Sequence, residues 1–363
     1  MKYESKLSNY DITRYSRQLI LPELGVEGQL RINKARVLII GLGGLGGPVL
    51  MYLSAAGVGT IGIIDYDKIE IHNLQRQILY KESSIGKEKL KEAEDFVINF
   101  NKNINVIKYS EMLSSENIKE IFAEYDLILD CTDSIICRYL VSDCCKKMNK
   151  DCIMASVLKW EGQVLVLPKN GVCYRCLFPK IRSNPPNCDE AGVVGSLCGV
   201  IGCMQATEAI KLILAPEKSA PTIITYNGFH GTFNKASLRT CCKNDHEDNI
   251  KVTSTPKPRP IGVDPSKIIS WEDFYKGEFQ LIDVRSALQF EICHIKESIN
   301  IPFINTEAIE KIKSFKNKPV LVCARGIKAQ EIANSLIEQD IDCLVIEGGL
   351  RSFKKHIDSS FPI

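Results

Sequence analysis

Cys323 stands in Pro319-Val-Leu-Val-Cys323-Ala-Arg325-Gly326-Ile-Lys328, where an apolar run gives way to glycine and cations and a helix is predicted to begin. A cysteine at such a turn has backbone N–H groups and positive charge beside its sulfur, which favour the thiolate and make it a nucleophile. Ala-Arg-Gly-Ile-Lys is not core-like, whereas Cys343, in Asp342-Cys-Leu-Val-Ile, has the surroundings of a packed thiol. A second chemistry is written in Arg36-Val-Leu-Ile-Ile-Gly-Leu-Gly-Gly-Leu-Gly-Gly-Pro48. Gly41, Gly43 and Gly46 have the G-x-G-x-x-G spacing, which lets a backbone turn approach a phosphate at a helix N-terminus. Spacing alone suits NAD, FAD or ATP equally.

The residues that follow narrow the ligand. Asp65 lies about twenty positions after the turn, where an acid takes a ribose hydroxyl; otherwise it caps a loop. His72-Asn73-Leu74-Gln75-Arg76-Gln77 is a polar loop with a cation, and Lys87 and Lys89 open a helix running to about Phe100. NAD needs none of these cations, but a triphosphate must be neutralised before attack at phosphorus. Asp133, followed by Ser134, comes at the carboxyl end of the strand Tyr125–Asp130. There it is placed to hold Mg²⁺, to cap the next helix, or both.

Further candidates are less determined. Arg14 and Arg17 share one face if their segment is helical, either as a solvated helix end or as a guanidinium for phosphate. Cys173-Tyr-Arg-Cys176 is half of a zinc site or a redox pair. No second C-x-x-C exists. The other ligands are then one of Cys241 and Cys242 with His246 or Asp245, or the site is lost. Cys188, in a loop rich in proline and asparagine, is an accessible thiol. Cys198 and Cys203 read as small core residues of an amphipathic helix over Val200 to Leu214.

These residues must be held by more than one core. At 363 residues two domains are expected, and the charged and proline-rich stretch Lys243 to Ser266 divides them. The boundaries are 1–245 for the first domain, 246–266 for the linker and 267–363 for the second. Strands predicted at Arg36 to Ile40, Thr60 to Asp67, Val106 to Tyr109, Tyr125 to Asp130, Cys152 to Ser156 and Gln163 to Leu167 alternate with helices, one of them Pro48 to Ala56. The fold class is α/β with a Rossmann-like doubly wound sheet. A net charge of +2 suggests neither direct nucleic-acid binding nor a membrane surface, and no apolar run approaches a membrane span of about 20 residues. Fifteen cysteines, an odd number in a chain without a secretory signal, read as reduced thiols. A cytoplasmic protein is expected.

Residues 7 to about 245 resemble the adenylyltransferases that activate ubiquitin-like sulfur carriers, such as the molybdopterin-synthase and thiamine sulfur-carrier enzymes. The matching pieces are Arg14-Tyr-Ser-Arg-Gln, the glycine turn, Asp65-Tyr-Asp, Asn73-Leu-Gln-Arg-Gln, Gly86-x-x-Lys89, Cys131-Thr-Asp133 and Cys173-Tyr-Arg-Cys-Leu-Phe. Residues 268 to 363 resemble an α/β rhodanese domain through Ile282-Asp-Val-Arg, His294-Ile with Asn300-Ile-Pro, the Cys323 loop and Glu347-Gly-Gly-Leu. His72 departs from the family's usual serine, and the second zinc pair is missing.

The resemblance implies that Gly44 and Asp65 hold the nucleotide, that Asn73, Arg76 and Lys89 bind phosphates, and that Asp133 binds Mg²⁺. It implies that Arg14 reaches the ATP of a partner subunit in a homodimer, that Cys188 is a reactive crossover-loop cysteine, and that Cys323 carries a persulfide. The implied activity is ATP-dependent adenylation of the C-terminal Gly-Gly of a ubiquitin-like sulfur-carrier protein, followed by sulfur transfer. The sulfur would come from a donor such as a cysteine desulfurase. The thiocarboxylate product would serve tRNA thiolation, molybdenum cofactor synthesis or both. Alternatives are a conjugating enzyme working through a Cys188 thioester, an NAD oxidoreductase and a non-catalytic scaffold.

Overall fold

The computed structural model describes residues 6–179, 192–238, 264–302 and 305–362. The chain divides into two compact units, Met1–Thr255 and Pro256–Ile363. The predicted linker falls almost wholly outside the described residues. Its last residues, Pro265 and Ser266, open a 3₁₀ turn, Pro265–Lys267, capped by the Asp264 side chain.

The first unit is built on an eight-stranded sheet. Its strands are β1 Arg36–Ile40, β2 Thr60–Ile64, β3 Asn105–Tyr109, β4 Leu127–Asp130, β5 Asp151–Leu158, β6 Glu161–Leu167, β7 Thr222–Asn227 and β8 Thr232–Ser237. The order is β3-β2-β1-β4-β5-β6-β7-β8. The first five positions pair in parallel, and β5 to β8 pair antiparallel. From Val37 to Ile40 β1 is apolar because both its faces are covered. Val37 and Ile39 join one core with the helices Gly46–Ala56 and Gly195–Leu214, while Leu38 and Ile40 join the other with the helix Ile135–Lys147. The sheet is therefore doubly wound, as expected, with a three-strand antiparallel extension.

Chain order reverses between β1 and β4, so their carboxyl ends open a crevice where ligands of such sheets bind. The glycine turn leaves β1 and the Asp133 loop leaves β4 at this point. The helix after the turn begins at Gly46, two residues before the predicted start. Pro48 fits inside its first turn, where an N–H would have no helical partner anyway. The helix ends at Gly57, whose φ of +87° suits glycine.

The helix Gly195–Leu214 corrects two expectations. It is twenty residues long and apolar enough, by length and composition, to span a membrane. Here its apolar side is core: Leu197, Cys198, Ile201, Ala206, Ala209 and Leu212 are buried. Its buried Gln205 donates from Nε2 to the carbonyls of Asp130 and Ile153, tying the helix to β4 and β5. Cys198 is core, as expected, but Cys203 is only half-buried.

The second unit has five parallel strands, β9 Ile268–Ile269, β10 Phe279–Asp283, β11 Ile299–Asn300, β12 Lys318–Val322 and β13 Leu344–Ile346, in the order β11-β10-β12-β13-β9. Leu321 and Val345 face one core, and Val320, Val322, Leu344 and Ile346 the other. Cys343 is fully buried, as its surroundings suggested.

Candidate functional site

The turn after β1 is possible only with glycine at two places. Gly41 has φ +88°, and a Cβ on Gly46 would lie 1.9 Å from the Gly41 carbonyl oxygen. Gly41 N–H donates to the Ile64 carbonyl (2.8 Å), and Cys131 N–H, in the Asp133 loop, donates to the Ile40 carbonyl (2.9 Å). A Cβ on Gly41 would lie 3.3 Å from the Cys131 carbonyl oxygen, so the two loops face one another across the crevice. Gly44 packs against Cys198 and the Arg76 carbonyl, which brings the polar loop to the same turn.

Asp65 fastens this arrangement. One carboxylate oxygen accepts from Leu42 N–H (2.7 Å) and the other from Asp67 N–H (2.8 Å). Burial pushes its carboxyl above the ordinary range, and the positive charge of Lys89 opposes that shift. Tyr80 holds the other side of the turn through a hydroxyl donated to the Leu42 carbonyl (2.9 Å). Lys89 is nearly buried, and its Nζ donates to Asp67 Oδ2 at 2.8 Å. It is the first residue of the helix Lys89–Phe100, so residues 85 to 88 are loop where helix was predicted.

The polar loop is an ordered 3₁₀ turn, Ile71–Asn73. Asn73 is buried and its Oδ1 accepts from Glu70 N–H (3.1 Å). Arg76 Nη1 donates to the His72 carbonyl (3.0 Å), and the His72 ring lies 3.4 Å from the Glu70 carboxylate. Leu74 N–H donates to the Ile71 carbonyl (3.2 Å). The Gln75 carbonyl oxygen sits where a Cβ on Gly195 would be, only 2.1 Å away. The Arg76 guanidinium is thus held by its own loop, and Gln75 contributes backbone to the packing.

Asp133 is exposed beyond β4. It is not the cap of the helix Ile135–Lys147, because the Ser134 hydroxyl accepts from Cys137 N–H (3.3 Å). Its position is set by residues the sequence reading passed over. Asp130 is fully buried and accepts at Oδ1 from Thr132 N–H (2.9 Å) and Oγ1–H (2.7 Å). Arg138 Nη2 donates to the carbonyls of Thr132 (2.9 Å) and Ala155 (3.1 Å), with its Nε 4.0 Å from Asp130 Oδ2. Thr132 is gripped from both sides, and Asp133 follows it. The signal available beforehand was an Asp ending an apolar strand and an Arg eight residues later. The Tyr66 hydroxyl is pushed up in pKa by burial and then by the charges of Asp67, Asp65 and Asp133.

Arg14 is elsewhere in the unit. The chain turns at Tyr15 between the helices Asn9–Arg14 and Ser16–Leu19, so Arg14 and Arg17 do not share one continuous helix face. Arg14 Nη2 donates to the Phe100 carbonyl and Nη1 to the Tyr10 hydroxyl, both at 3.0 Å, and the guanidinium lies over the Phe100 ring. That is the opposite end of the helix begun by Lys89. Cys173 and Cys176 have sulfurs 3.6 Å apart. Arg175 between them makes a paired contact with Asp143 (2.7 Å) and lies over Tyr139. Among the described residues no group of three or more metal-ligating side chains gathers there. Cys188, Cys241, Cys242 and His246 lie outside the described residues.

In the second unit Cys323 directly follows β12, and Gly326, with φ +86°, caps the start of the helix Ile327–Ile337. The Cys323 carbonyl accepts from Leu350 N–H (2.9 Å) and the Ala324 carbonyl from Arg351 N–H (3.0 Å). Gly349 is needed at that seam, since a Cβ there would lie 2.2 Å from the Cys323 carbonyl oxygen. Trp271 Nε1 donates to the Gly349 carbonyl (3.0 Å), holding the seam from behind. Cys323 is only 5% exposed, deeper than an accessible nucleophile would suggest. The acid and base after β10 serve structure. Arg285, buried, pairs with buried Asp283 through Nε and Nη2 and donates to the carbonyl of half-buried Cys293. Lys328 Nζ donates to the Val284 carbonyl (2.6 Å), which ties the Cys323 loop to β10.

Comparison with known proteins agrees with this architecture. The ThiF family model matches residues 15–247 and the rhodanese-like domain model residues 271–356. The "Adenylyltransferase and sulfurtransferase MOCS3" of Drosophila yakuba is 38% identical, with 99% of this chain and 86% of the relative aligned. The protein of the same description from Culex quinquefasciatus is 36% identical over 99% and 91%. Among solved structures, E. coli MccB with ATP has a TM-score of 0.55 at 22% identity, covering 64% of this chain and 74% of MccB, a likeness of fold. By these matches the chain belongs to the ThiF family and, taken whole, is an adenylyltransferase and sulfurtransferase that joins a ThiF domain to a rhodanese-like domain.

Proposed function

We propose that the chain converts the C-terminal carboxylate of a small ubiquitin-like carrier protein, ending in Gly-Gly, first to an acyl-adenylate and then to a thiocarboxylate. The observation that carries the reading is the gathering of Asp65, Lys89 and the Asp133 loop around the glycine turn at the sheet's switch point. The same chain holds Cys323 in a strand–helix loop.

In the first step a carboxylate oxygen of the carrier attacks the α-phosphorus of ATP and pyrophosphate leaves. A C-terminal carboxyl, with an ordinary pKa of about 3.5, is already ionised at neutral pH, so no general base is needed. What remains is to position two anions and offset their charge. Asp65 takes the ribose, and Asn73, Arg76 and Lys89 meet the phosphates, with Gly41, Gly43, Gly44 and Gly46 giving the backbone access. The polar loop from His72 through Gln75 and the helix-capping Ser134 frame the nucleotide. The exposed carboxylate of Asp133 offers the hard oxygens that suit the Mg²⁺ accompanying ATP, an ion that supplies charge neutralisation. Arg14 of the partner subunit completes the site in a homodimer. That use requires its guanidinium to exchange the Phe100 carbonyl for a phosphate.

In the second step Cys323 carries a sulfane sulfur received from a persulfide donor such as a cysteine desulfurase. Its terminal sulfur attacks the acyl carbon, a C–S bond forms and AMP leaves. Cys188, as thiolate, then attacks the Cys323 sulfur of the acyl disulfide. The thiocarboxylate departs, and a thiol reductant reduces the disulfide left between Cys188 and Cys323. The product serves tRNA thiolation, molybdenum cofactor synthesis or both. The test is exchange of labelled pyrophosphate into ATP in the presence of a Gly-Gly-terminated carrier. Exchange is expected with the intact carrier and lost when its Gly-Gly is removed; binding of NAD in preference to ATP would overturn the reading.

Cys173 and Cys176 fit half of a structural zinc site. Two thiolates on one tetrahedral zinc stand about 3.8 Å apart, close to the 3.6 Å observed. The other half would come from one of Cys241 and Cys242 with His246 or Asp245. Metal analysis of the purified chain is expected to give about one zinc per chain, lost in Cys173→Ser. A metal-free wild-type protein with full exchange activity would remove zinc from the scheme.

A further inference from the structure

We propose that a cavity of the second unit, beside the Cys323 loop, is where the persulfide donor docks, and that it takes a donor segment carrying both a carboxylate and a cation. This deepens the sulfur-transfer reading above and rests on it.

The cavity measures about 490 Å³, and all the residues lining it belong to the second unit. That size lies within the roughly 300–1,000 Å³ of pockets that enclose a ligand. The helix Gly349–His356 contributes charge of one sign. Its Leu350 and Phe353 are core, while Arg351, Lys355 and His356 line the cavity. Charge of the other sign comes from Glu347, just after β13, and from Glu272, in the first turn of the helix Trp271–Lys276. Among the described residues Glu272, Glu347, Lys355 and His356 make no side-chain hydrogen bond or ion pair. Acids and bases thus share one cavity without neutralising each other. Such an arrangement selects a partner with the complementary pair, and it sets register more than raw affinity.

The cavity adjoins the reactive loop through one layer of backbone. Leu350 and Arg351 donate their N–H groups to the carbonyls of Cys323 and Ala324. Gly348 lines the cavity, and its nitrogen would lie 3.4 Å from a Cβ on Gly326. Cys323 is 5% exposed, so sulfur has to be delivered at close range by a protein seated against this loop. In the proposed scheme two proteins visit Cys323. The carrier is held by the first unit through its adenylated tail, whereas the donor has dealings with Cys323 alone. A recognition surface carried wholly by the second unit fits the donor. Once it is seated, the Cys323 thiolate attacks the terminal sulfur of the donor persulfide. The donor's S–S bond breaks, the donor thiolate leaves, and the persulfide is formed on Cys323 with no net oxidation.

The test uses K355E and E272K in the full chain, since both side chains are exposed and the backbone bonds to the Cys323 loop stay in place. Loading of Cys323 is followed by mass spectrometry with two sulfur sources, a persulfidated cysteine desulfurase and thiosulfate. Each charge reversal is expected to slow loading from the desulfurase by about 10-fold or more, the loss of a close interfacial charge pair. Loading from thiosulfate should keep the wild-type rate, and K355R should behave as wild type with both sources. Wild-type loading from the desulfurase in both reversals would overturn the proposal. So would equal losses with both sources, which mark damage to the loop. Unchanged loading with slower thiocarboxylate formation would give the cavity to the carrier and overturn it too. If wild-type Cys323 takes sulfur from neither source, the sulfur-transfer reading fails, and docking is read from the affinity of the unmodified desulfurase for the full chain. Weaker binding by K355E and E272K then upholds the site, and equal binding overturns it.

Discussion

Asp133→Ala is expected to lower carrier-dependent pyrophosphate exchange by about 10²- to 10³-fold, the usual effect of removing one charge-stabilising group from a reacting centre. The substitution isolates chemistry from folding. Asp133 is exposed, and the cap of the following helix is the Ser134 hydroxyl. Thr132 remains held by Asp130 and Arg138, so the loop keeps its course. The unfolding midpoint should therefore stay at the wild-type value while exchange collapses. Added Mg²⁺ should restore part of the rate if the carboxylate acts by holding the ion. Full exchange in a folded Asp133→Ala protein would sink the proposed role and, with it, the phosphate-side assignment of this loop.

Cys323→Ala is expected to separate the two half-reactions completely. Exchange depends on the first unit and should proceed at the wild-type rate, whereas thiocarboxylate on the carrier should be undetectable by mass spectrometry. The loop itself should survive. What holds it are backbone bonds from Leu350 and Arg351, the Lys328 contact with Val284, and the seam around Gly349. Because Cys323 is buried, its sulfur is also shielded from adventitious reagents. Labelling with a small alkylator should therefore be slow compared with sulfur loading by a persulfide donor. Thiocarboxylate formed by Cys323→Ala would remove this thiol from the scheme.

Features that depend on residue type at short range were legible in the sequence. The strand of β1 shows as a continuous apolar run because both its faces are covered, and the glycine turn shows because no other residue fits Gly41 or Gly46. The place of Asp65 beside the turn was legible from its distance after the glycines. Features made by distant residues meeting were not. Nothing in the spacing announces that Asp67 pairs with Lys89 twenty-two positions on, or that Asp130 and Arg138 grip Thr132. The helix starting at Gly46 rather than Pro48 belongs to the same class. Proline marks the first turn of a helix, but packing of Gly46 on the Gly41 carbonyl decides where that turn starts. Cys323 was read from its polar flanks as a nucleophile and not as a buried thiol, and the seam from the Gly348–Leu350 region that covers it comes from a strand and helix further along the chain.

The Asp67–Lys89 contact has a consequence for selectivity. Lys89 already has a counter-ion, so if it meets phosphate as proposed, an incoming anion must compete with the Asp67 carboxylate for its ammonium. The net gain is then the difference between two close ion pairs, and for a singly charged ligand that difference is near zero. A ligand with several negative oxygens on one chain can take Lys89 with one of them while others engage the turn, and it carries a cation to which the released acid is attracted. The pair thus acts as a threshold. Free phosphate and small carboxylates gain little here, and a polyphosphate with its metal exceeds what Asp67 offers.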